Sequence, residues 1–340
     1  MKKFFAVSVC MFMLLCCACG PARPAQITNT DTAMGTVIVQ KLYTADSQGR
    51  AAQEIMELLG KLETQELSRR LDTSEVWNLN AGAGRPEGCT VSPSMEEILA
   101  GCLDMWHKSQ GAFDVTLGPV VELWDIDGWA AGENGEDFSP PEDRQLAEAL
   151  ERCGAGRMEL REGVLWLPEG MLLDLGAVGK GVAMDRILSY LQGNNNITGA
   201  IISLGGSVVT YGSKPDGDCW KVGIANPADT ASIVGTLMLE GEWFVSTSGD
   251  YERYVELDGV RYHHIIDPVT GRPADSGIAG VTILAGNGFL SDALSTACFI
   301  LGEEKGMALA ELCGAEVLFV STDGRITMSR GMEAYFETAE

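Results

Sequence analysis

Tyr251-Glu-Arg-Tyr-Val-Glu-Leu-Asp-Gly-Val-Arg-Tyr-His-His-Ile-Ile266 reads as two short strands joined at Asp258-Gly259. Aromatic and β-branched residues stand on both sides of an Asp-Gly pair, the dipeptide that best supplies the positive φ angles of a tight hairpin. The same pattern recurs on either side. Strand-like runs cover 200–211, 219–225, 233–247 and 278–285, and further hairpins turn at Arg161-Glu162-Gly163 within 158–168 and at Asp323-Gly324 within 315–329. Thr32 to Val39 is another β-branched run. Helical periodicity belongs mainly to the first half. Ile55, Leu58, Leu59 and Leu62 share a stripe within 47–67, and Met95, Ile98, Leu99, Cys102 and Trp106 share one in a helix opened by Ser92-Pro93. Residues 143–152 and 179–193 are helical by the same rule, whereas 125–142, acidic and Gly-rich with Pro140-Pro141, reads as an exposed loop. Hairpins outnumber helical crossovers, so the expected fold is α+β, antiparallel sheets flanked by helices, rather than a doubly wound parallel sheet. No internal repeat is visible, and residues 31–340 fit a single domain.

The strand at 278–285 leads into a helix over 288–302, with a further helix over 303–313. At helical spacing Asp292 and Thr296 stand one turn apart on one face. A carboxylate and a hydroxyl presented together are hard oxygen ligands of the kind Mg²⁺ prefers. They equally suit an N-terminal dipole partner and a satisfied core hydroxyl.

Several strand ends carry small-residue loops that let a backbone approach a ligand. Asp174-Leu-Gly-Ala-Val-Gly-Lys-Gly181 joins a strand to a helix without the spacing of a P-loop or a dinucleotide fingerprint. Lys180 at its helix start is a residue that a plain turn would not need. Gly205-Gly206, Ser246-Thr-Ser-Gly-Asp250 and Gly111-Ala-Phe-Asp114 occupy similar positions. His263 and His264, two of only three histidines, lie at a strand exit, where one could act as a base or merely cap. His107, near a helix end, reads as structural.

Residues 1–19 form an export signal: Lys2-Lys3, an apolar run from Phe4 to Leu15, then Cys16-Cys17-Ala18-Cys19. The run is short for a membrane span. A small residue before a cysteine resembles the lipobox of bacterial lipoproteins, with Cys19 the expected lipidated residue and Cys17 the second choice. Residues 20–30, with Pro21 and Pro24, then read as a tether. The expected location is the outer face of the bacterial cytoplasmic membrane, reached through a lipid anchor.

The formal net charge of −24 repels nucleic acid and anionic lipid heads, so no nucleic-acid partner is expected. It also means that an anionic substrate needs a metal or locally placed donors. Of ten cysteines, the six beyond the signal (Cys89, Cys102, Cys153, Cys219, Cys298, Cys313) show no CxxC spacing, which argues against zinc. They leave open both disulfides and buried free thiols, the latter at Cys102, Cys298 and Cys313, which fall on apolar helix faces.

Taken together, Ala33-Met-Gly-Thr36, Gly111-Ala-Phe-Asp-Val-Thr-Leu-Gly-Pro119 with Leu123-Trp124, Asp174 to Gly181, Leu204-Gly-Gly206, Thr247-Ser-Gly-Asp-Tyr251, His264-Ile-Ile-Asp-Pro-Val-Thr-Gly-Arg-Pro273 and Asp292-Ala-Leu-Ser-Thr-Ala297 occur in the order found in one family. The chain resembles the FAD:protein FMN transferases, the ApbE family of flavin-transferring lipoproteins. That resemblance implies a T-fold-like single domain with FAD as substrate and Mg²⁺ as cofactor. It implies transfer of FMN to a threonine of an exported acceptor, of the redox-pump subunit type, with release of AMP. Carried over by position, it implies a metal held by the Ala177 carbonyl, Asp292 and Thr296. The flavin and its phosphates would lie near Met34, Ala112, Phe113, Asp114, Asp174, Lys180 and the Ile266 backbone, with His264 as base and Asp292 as the alternative proton acceptor. Two positions depart from the family: Ser207 follows Gly205-Gly206 where Asn is usual, and Arg70 falls near the position of a flavin-stacking aromatic, for which Trp77 is another candidate.

Overall fold

The computed structural model describes residues 24–135 and 137–339. The expected export signal, Cys17, Cys19 and the first part of the expected tether lie outside the described residues. The chain opens with the hairpin β1 (Ala25–Ala33) and β2 (Thr36–Thr44), in which Ala33 pairs with Thr36. The predicted strand over 32–39 is therefore interrupted by a two-residue turn, Met34-Gly35, with φ of 52° and 69°. Both positive angles suit the twist of a tight hairpin. The tether reading over 20–30 also gives way, because residues 25–30 belong to β1. Their signal was weak: β1 is an edge strand that meets the core only through Ile27 and Ala33.

Next come α1 (Arg50–Lys61), prolonged by a π-helical turn over Leu62–Leu67, α2 (Glu75–Ala81), β3 (Cys89–Thr90), α3 (Pro93–Lys108), α4 (Gly118–Trp124), α5 (Ile126–Ala130) and α6 (Asp143–Leu150). Ser92 caps α3 by accepting the Met95 N–H, as Ser-Pro predicts. The predicted loop at 125–142 begins with α5, because Ile126 and Gly128 are buried there. After β4 (Glu159–Arg161) and β5 (Val164–Trp166) the chain forms α7 (Gly179–Gly193), β6 (Ile197–Leu204), β7 (Ser207–Gly212), β8 (Trp220–Asn226), β9 (Asp229–Leu239), β10 (Trp243–Gly249), the hairpin β11 (Tyr254–Leu257) and β12 (Val260–His263), and β13 (Ile278–Ala285). It closes with α8 (Gly288–Leu312), β14 (Glu316–Ser321), β15 (Ile326–Met328) and β16 (Phe336–Thr338). Gly302, at φ 77° and ψ 180°, breaks α8 where the sequence separates two helices.

The architecture is α+β, as expected. An antiparallel sheet runs β1-β2-β6-β7-β10-β13-β14-β15. One face packs on α1, α7 and α8 through Ile38, Leu42, Ile202 and Ile283 against Ile55, Leu59, Ile187 and Leu294, all fully buried. The other face is partly covered by the sheet β16-β9-β8 through Trp220, Leu237, Leu239 and Val245. The six cysteines among the described residues are free thiols, with Cys102 and Cys298 in the core.

Candidate active site

The site forms where α7 and α8 touch. A Cβ on Gly181 would stand 2.3 Å from the Gly288 carbonyl oxygen and 2.8 Å from the Asp292 Cβ, so only glycine allows this approach. Asp185, one turn along α7, accepts the N–H groups of Gly288 at 2.7 Å and Phe289 at 2.8 Å, satisfying orphan donors of α8. Asn287 caps the same helix by accepting the Leu290 N–H at 2.7 Å.

The close approach carries Asp292 onto α7. Its Oδ2 accepts the Gly181 N–H at 2.9 Å, while Oδ1 lies 3.4 Å from Lys180 Nζ and receives the Ser207 hydroxyl at 3.5 Å. Gly181 is the third residue of α7, where the backbone N–H has no acceptor within the helix, and Asp292 supplies one. No group among the described residues hydrogen-bonds the Ala177 oxygen, which precedes the helix. One turn beyond Asp292, Ser295 takes the Asp292 carbonyl at 2.8 Å, and the Thr296 hydroxyl has no hydrogen-bond partner among the described residues. Ala177 and Thr296 line one cavity of about 150 Å³ with Ala112, Phe113, Asp114, His264 and Ile266. Asp292 is not on its wall: the carboxylate is 3% exposed and reaches the cavity through Lys180, which lines it. A carbonyl, a carboxylate and a hydroxyl are all hard oxygens, two of them uncommitted, and this donor set fits Mg²⁺. Among the described residues no cluster of three or more His, Cys, Asp or Glu competes for a metal.

His264 Nδ1 stands 3.2 Å from the Arg253 carbonyl. A carbonyl only accepts, so Nδ1 carries the proton and Nε2 keeps its lone pair. Burial, reinforced by the Arg253 guanidinium, lowers the pKa of His264 to about 4 despite the opposing Asp127 charge, so the ring is neutral at neutral pH. Its neighbour is structural: His263 Nε2 lies 3.1 Å from the Ala274 carbonyl, and its ring meets Phe299 edge-on.

The other expected residues divide by role. Asp174 holds the Arg69 Nε at 2.8 Å with one oxygen and the Gly176 N–H at 2.8 Å with the other. Asp114 lines the cavity, but its oxygens accept the Thr116 and Ala155 N–H groups at 2.7 and 3.0 Å and the Thr116 hydroxyl at 2.5 Å. It therefore braces the loop that presents Ala112 and Phe113. Met34 lies outside the inner cavity, on a neighbouring cleft of about 1350 Å³. Arg70, Asp127, Asp174, Lys180, Thr247 and Arg253 line both spaces. Trp77 lines neither, which removes it as a stacking candidate, whereas Arg70 stands at the junction, 3.5 Å from Asp127. His107 packs on Trp106 away from both. Sequence reasoning missed Arg69, Asp127, Asp185 and Arg253. Their partners are about a hundred residues distant, and no local periodicity marks them.

The ApbE family profile matches residues 34–319. A protein of Treponema pallidum named FAD:protein FMN transferase is 36% identical over 346 aligned positions, covering 94% of this chain and 93% of its own. A Vibrio cholerae protein of the same name is 32% identical over 308 positions, covering 88% and 89%. The crystal structure of the ApbE protein of Thermotoga maritima superposes with a TM-score of 0.83 at 29% identity, over 93% of this chain and all of that one. The flavin transferase ApbE of Vibrio cholerae does so with a TM-score of 0.79 at 30% identity, over 92% and 99%.

Proposed function

The chain belongs to the ApbE family, and from this we propose that it is a Mg²⁺-dependent FAD:protein FMN transferase that moves FMN from FAD to a threonine of an exported acceptor protein and releases AMP. The observation that carries this reading is that the Ala177 carbonyl and the Thr296 hydroxyl, both without a hydrogen-bond partner among the described residues, line one cavity while the Gly181 N–H holds Asp292 at the α7 start. Bound Mg²⁺, held by Ala177, Asp292 and Thr296, would neutralise charge on the diphosphate and on the departing AMP oxygen.

The chain's own groups account for the rest. Lys180 and Arg70 supply cations at the junction of the two spaces, where an otherwise acidic protein must hold an anion. His264, neutral and with Nε2 free, receives the proton of the attacking hydroxyl, and Arg253 fixes its tautomer. Arg69 orients Asp174 at the rim. Rate then comes from positioning and electrostatics rather than from a covalent enzyme intermediate. We further propose attachment to the outer face of the cytoplasmic membrane through lipidated Cys19.

The test is incubation with FAD, Mg²⁺ and a threonine-bearing acceptor domain, following acceptor mass and free AMP. A mass gain equal to FMN less one water, with AMP in equal amount, is expected. AMP without a mass gain would replace transfer with hydrolysis of FAD to FMN and AMP, and neither product would leave a flavin-binding protein.

A further inference from the structure

The sheet face opposite the helices is covered at one end only. The sheet β16-β9-β8 packs over β10, β13 and β14, reaches β2, β6 and β7 at Tyr43, Ile201 and Val208, and leaves the Val37 to Lys41 stretch of β2 facing the large cleft. On β2, alternation sends Ile38, Gln40 and Leu42 into the helical core and turns Val37, Val39 and Lys41 the other way. Val37 is 52% and Val39 40% exposed. Cross-strand register sets Val39 beside Ser203 and Lys41 beside Ile201 on β6, and Ser203 beside Val208 on β7. These residues line the cleft together, Ile201 and Val208 half-buried where they pack on the Trp220 cluster, and exposed Lys221 of β8 lines the same cleft.

Two features say what this floor takes. The described lysines that pair with carboxylates are Lys108 and Lys180; Lys41 and Lys221 are not among them. Free amines beside an apolar strip, in a protein of net charge −24, favour an occupant that is apolar and acidic. The space is also more than a small ligand fills. The cleft of about 1350 Å³ exceeds the roughly 300–1,000 Å³ usual for small-molecule sites, and it shares Lys180 and Thr247 with the cavity of His264 and Thr296.

We propose that this face docks the acceptor protein. An extended acceptor segment lies across Val37, Val39, Ile201 and Val208 with carboxylates directed at Lys41 and Lys221, and delivers its threonine to the junction at Lys180 and Thr247. The inference rests on the transferase reading.

The test uses the full chain and two short fluorescein-labelled peptides, each with a threonine between valines, one carrying aspartates at the outer positions and the other lysines. The aspartate peptide is expected to bind the unaltered protein, and the Lys41→Glu, Lys221→Glu double variant to weaken it at least tenfold and reverse the preference. Flavin fluorescence titration with FAD, and AMP release without an acceptor, are expected to stay within twofold in that variant. Equal binding of both peptides, or binding indifferent to the charge reversal, would overturn the proposal. Binding of neither peptide, with self-association that Val39→Glu abolishes, would overturn it in favour of a second copy of the chain. Because peptide binding is read without turnover, loss of the docking idea is distinguishable from loss of the transferase reading, which AMP release and acceptor mass decide.

Discussion

Removing the Asp292 carboxylate would strand two groups at once, the Gly181 N–H that it accepts at 2.9 Å and the Lys180 ammonium 3.4 Å away. Asp292→Ala should therefore lower stability by about 2–4 kcal/mol as well as remove a proposed metal ligand, with the loss reduced because Lys180 is partly exposed. Asp292→Asn, which keeps an acceptor for Gly181, is the sharper probe. Its thermal midpoint should stay near that of the unaltered protein while AMP release stops responding to Mg²⁺, and a retained Mg²⁺ response would take Asp292 out of the site. His264 makes a second prediction. Its folded pKa lies below the unfolded value, so the stability it contributes is complete above pH 6.5 and is lost as pH falls toward about 4. The same sign applies to catalysis: the acid limb of kcat/KM should fall near pH 4 rather than near 6.5. His264→Asn, which can still donate to the Arg253 carbonyl, should lower transfer by about 10²–10⁴-fold and leave FAD affinity unchanged. An acid limb unmoved by this substitution would show another group to be the base.

Among the elements, the crossing of α7 and α8 is the joint on which the site hangs. Gly181→Ala would press a methyl against the Gly288 backbone, where neither partner is a side chain that can turn away. Overpacking of this kind costs about 1–3 kcal/mol, and the displaced helix would carry the Gly181 N–H away from Asp292. The expected result is a lower thermal midpoint together with loss of AMP release. Gly60, inside α1 with no atom within 4 Å of a built Cβ, is the control. Gly60→Ala should raise stability by up to about 1 kcal/mol through helix propensity and leave activity untouched. If both substitutions behaved alike, steric contact at the crossing would not be what fixes the site.

For the molecule entire, charge opposes its substrate. With 48 acidic against 24 basic side chains, the long-range field repels an anionic dinucleotide, while Lys180, Arg69 and Arg70 attract it only at short range. Salt screens the first effect more than the second because the site cations are partly enclosed. The association rate of FAD, followed by flavin fluorescence in stopped flow, should therefore rise as ionic strength rises from about 0.01 to 0.15 M. A rate that falls with salt would mean that the local cations dominate at long range.

Alternation in the strands, Ser92-Pro93 before α3, the Asp-Gly turns and the Asp292–Thr296 spacing were all legible along the chain, because each depends on neighbours within a turn or a strand. They were enough for an α+β architecture and for one end of the site. The edge strand β1 escaped notice because a strand with little core contact carries little apolar signal. Residue spacing was equally silent on the docking of Asp292 onto the Gly181 N–H, the pairing of Arg69 with Asp174, the tautomer of His264, and the separation of inner cavity from outer cleft. Each of these joins segments far apart in the chain, so it exists only once α7 and α8 are in contact and the sheet face has been left half covered. Local order is set by local chemistry; a site whose atoms come from residues 177, 264 and 296 is set by packing.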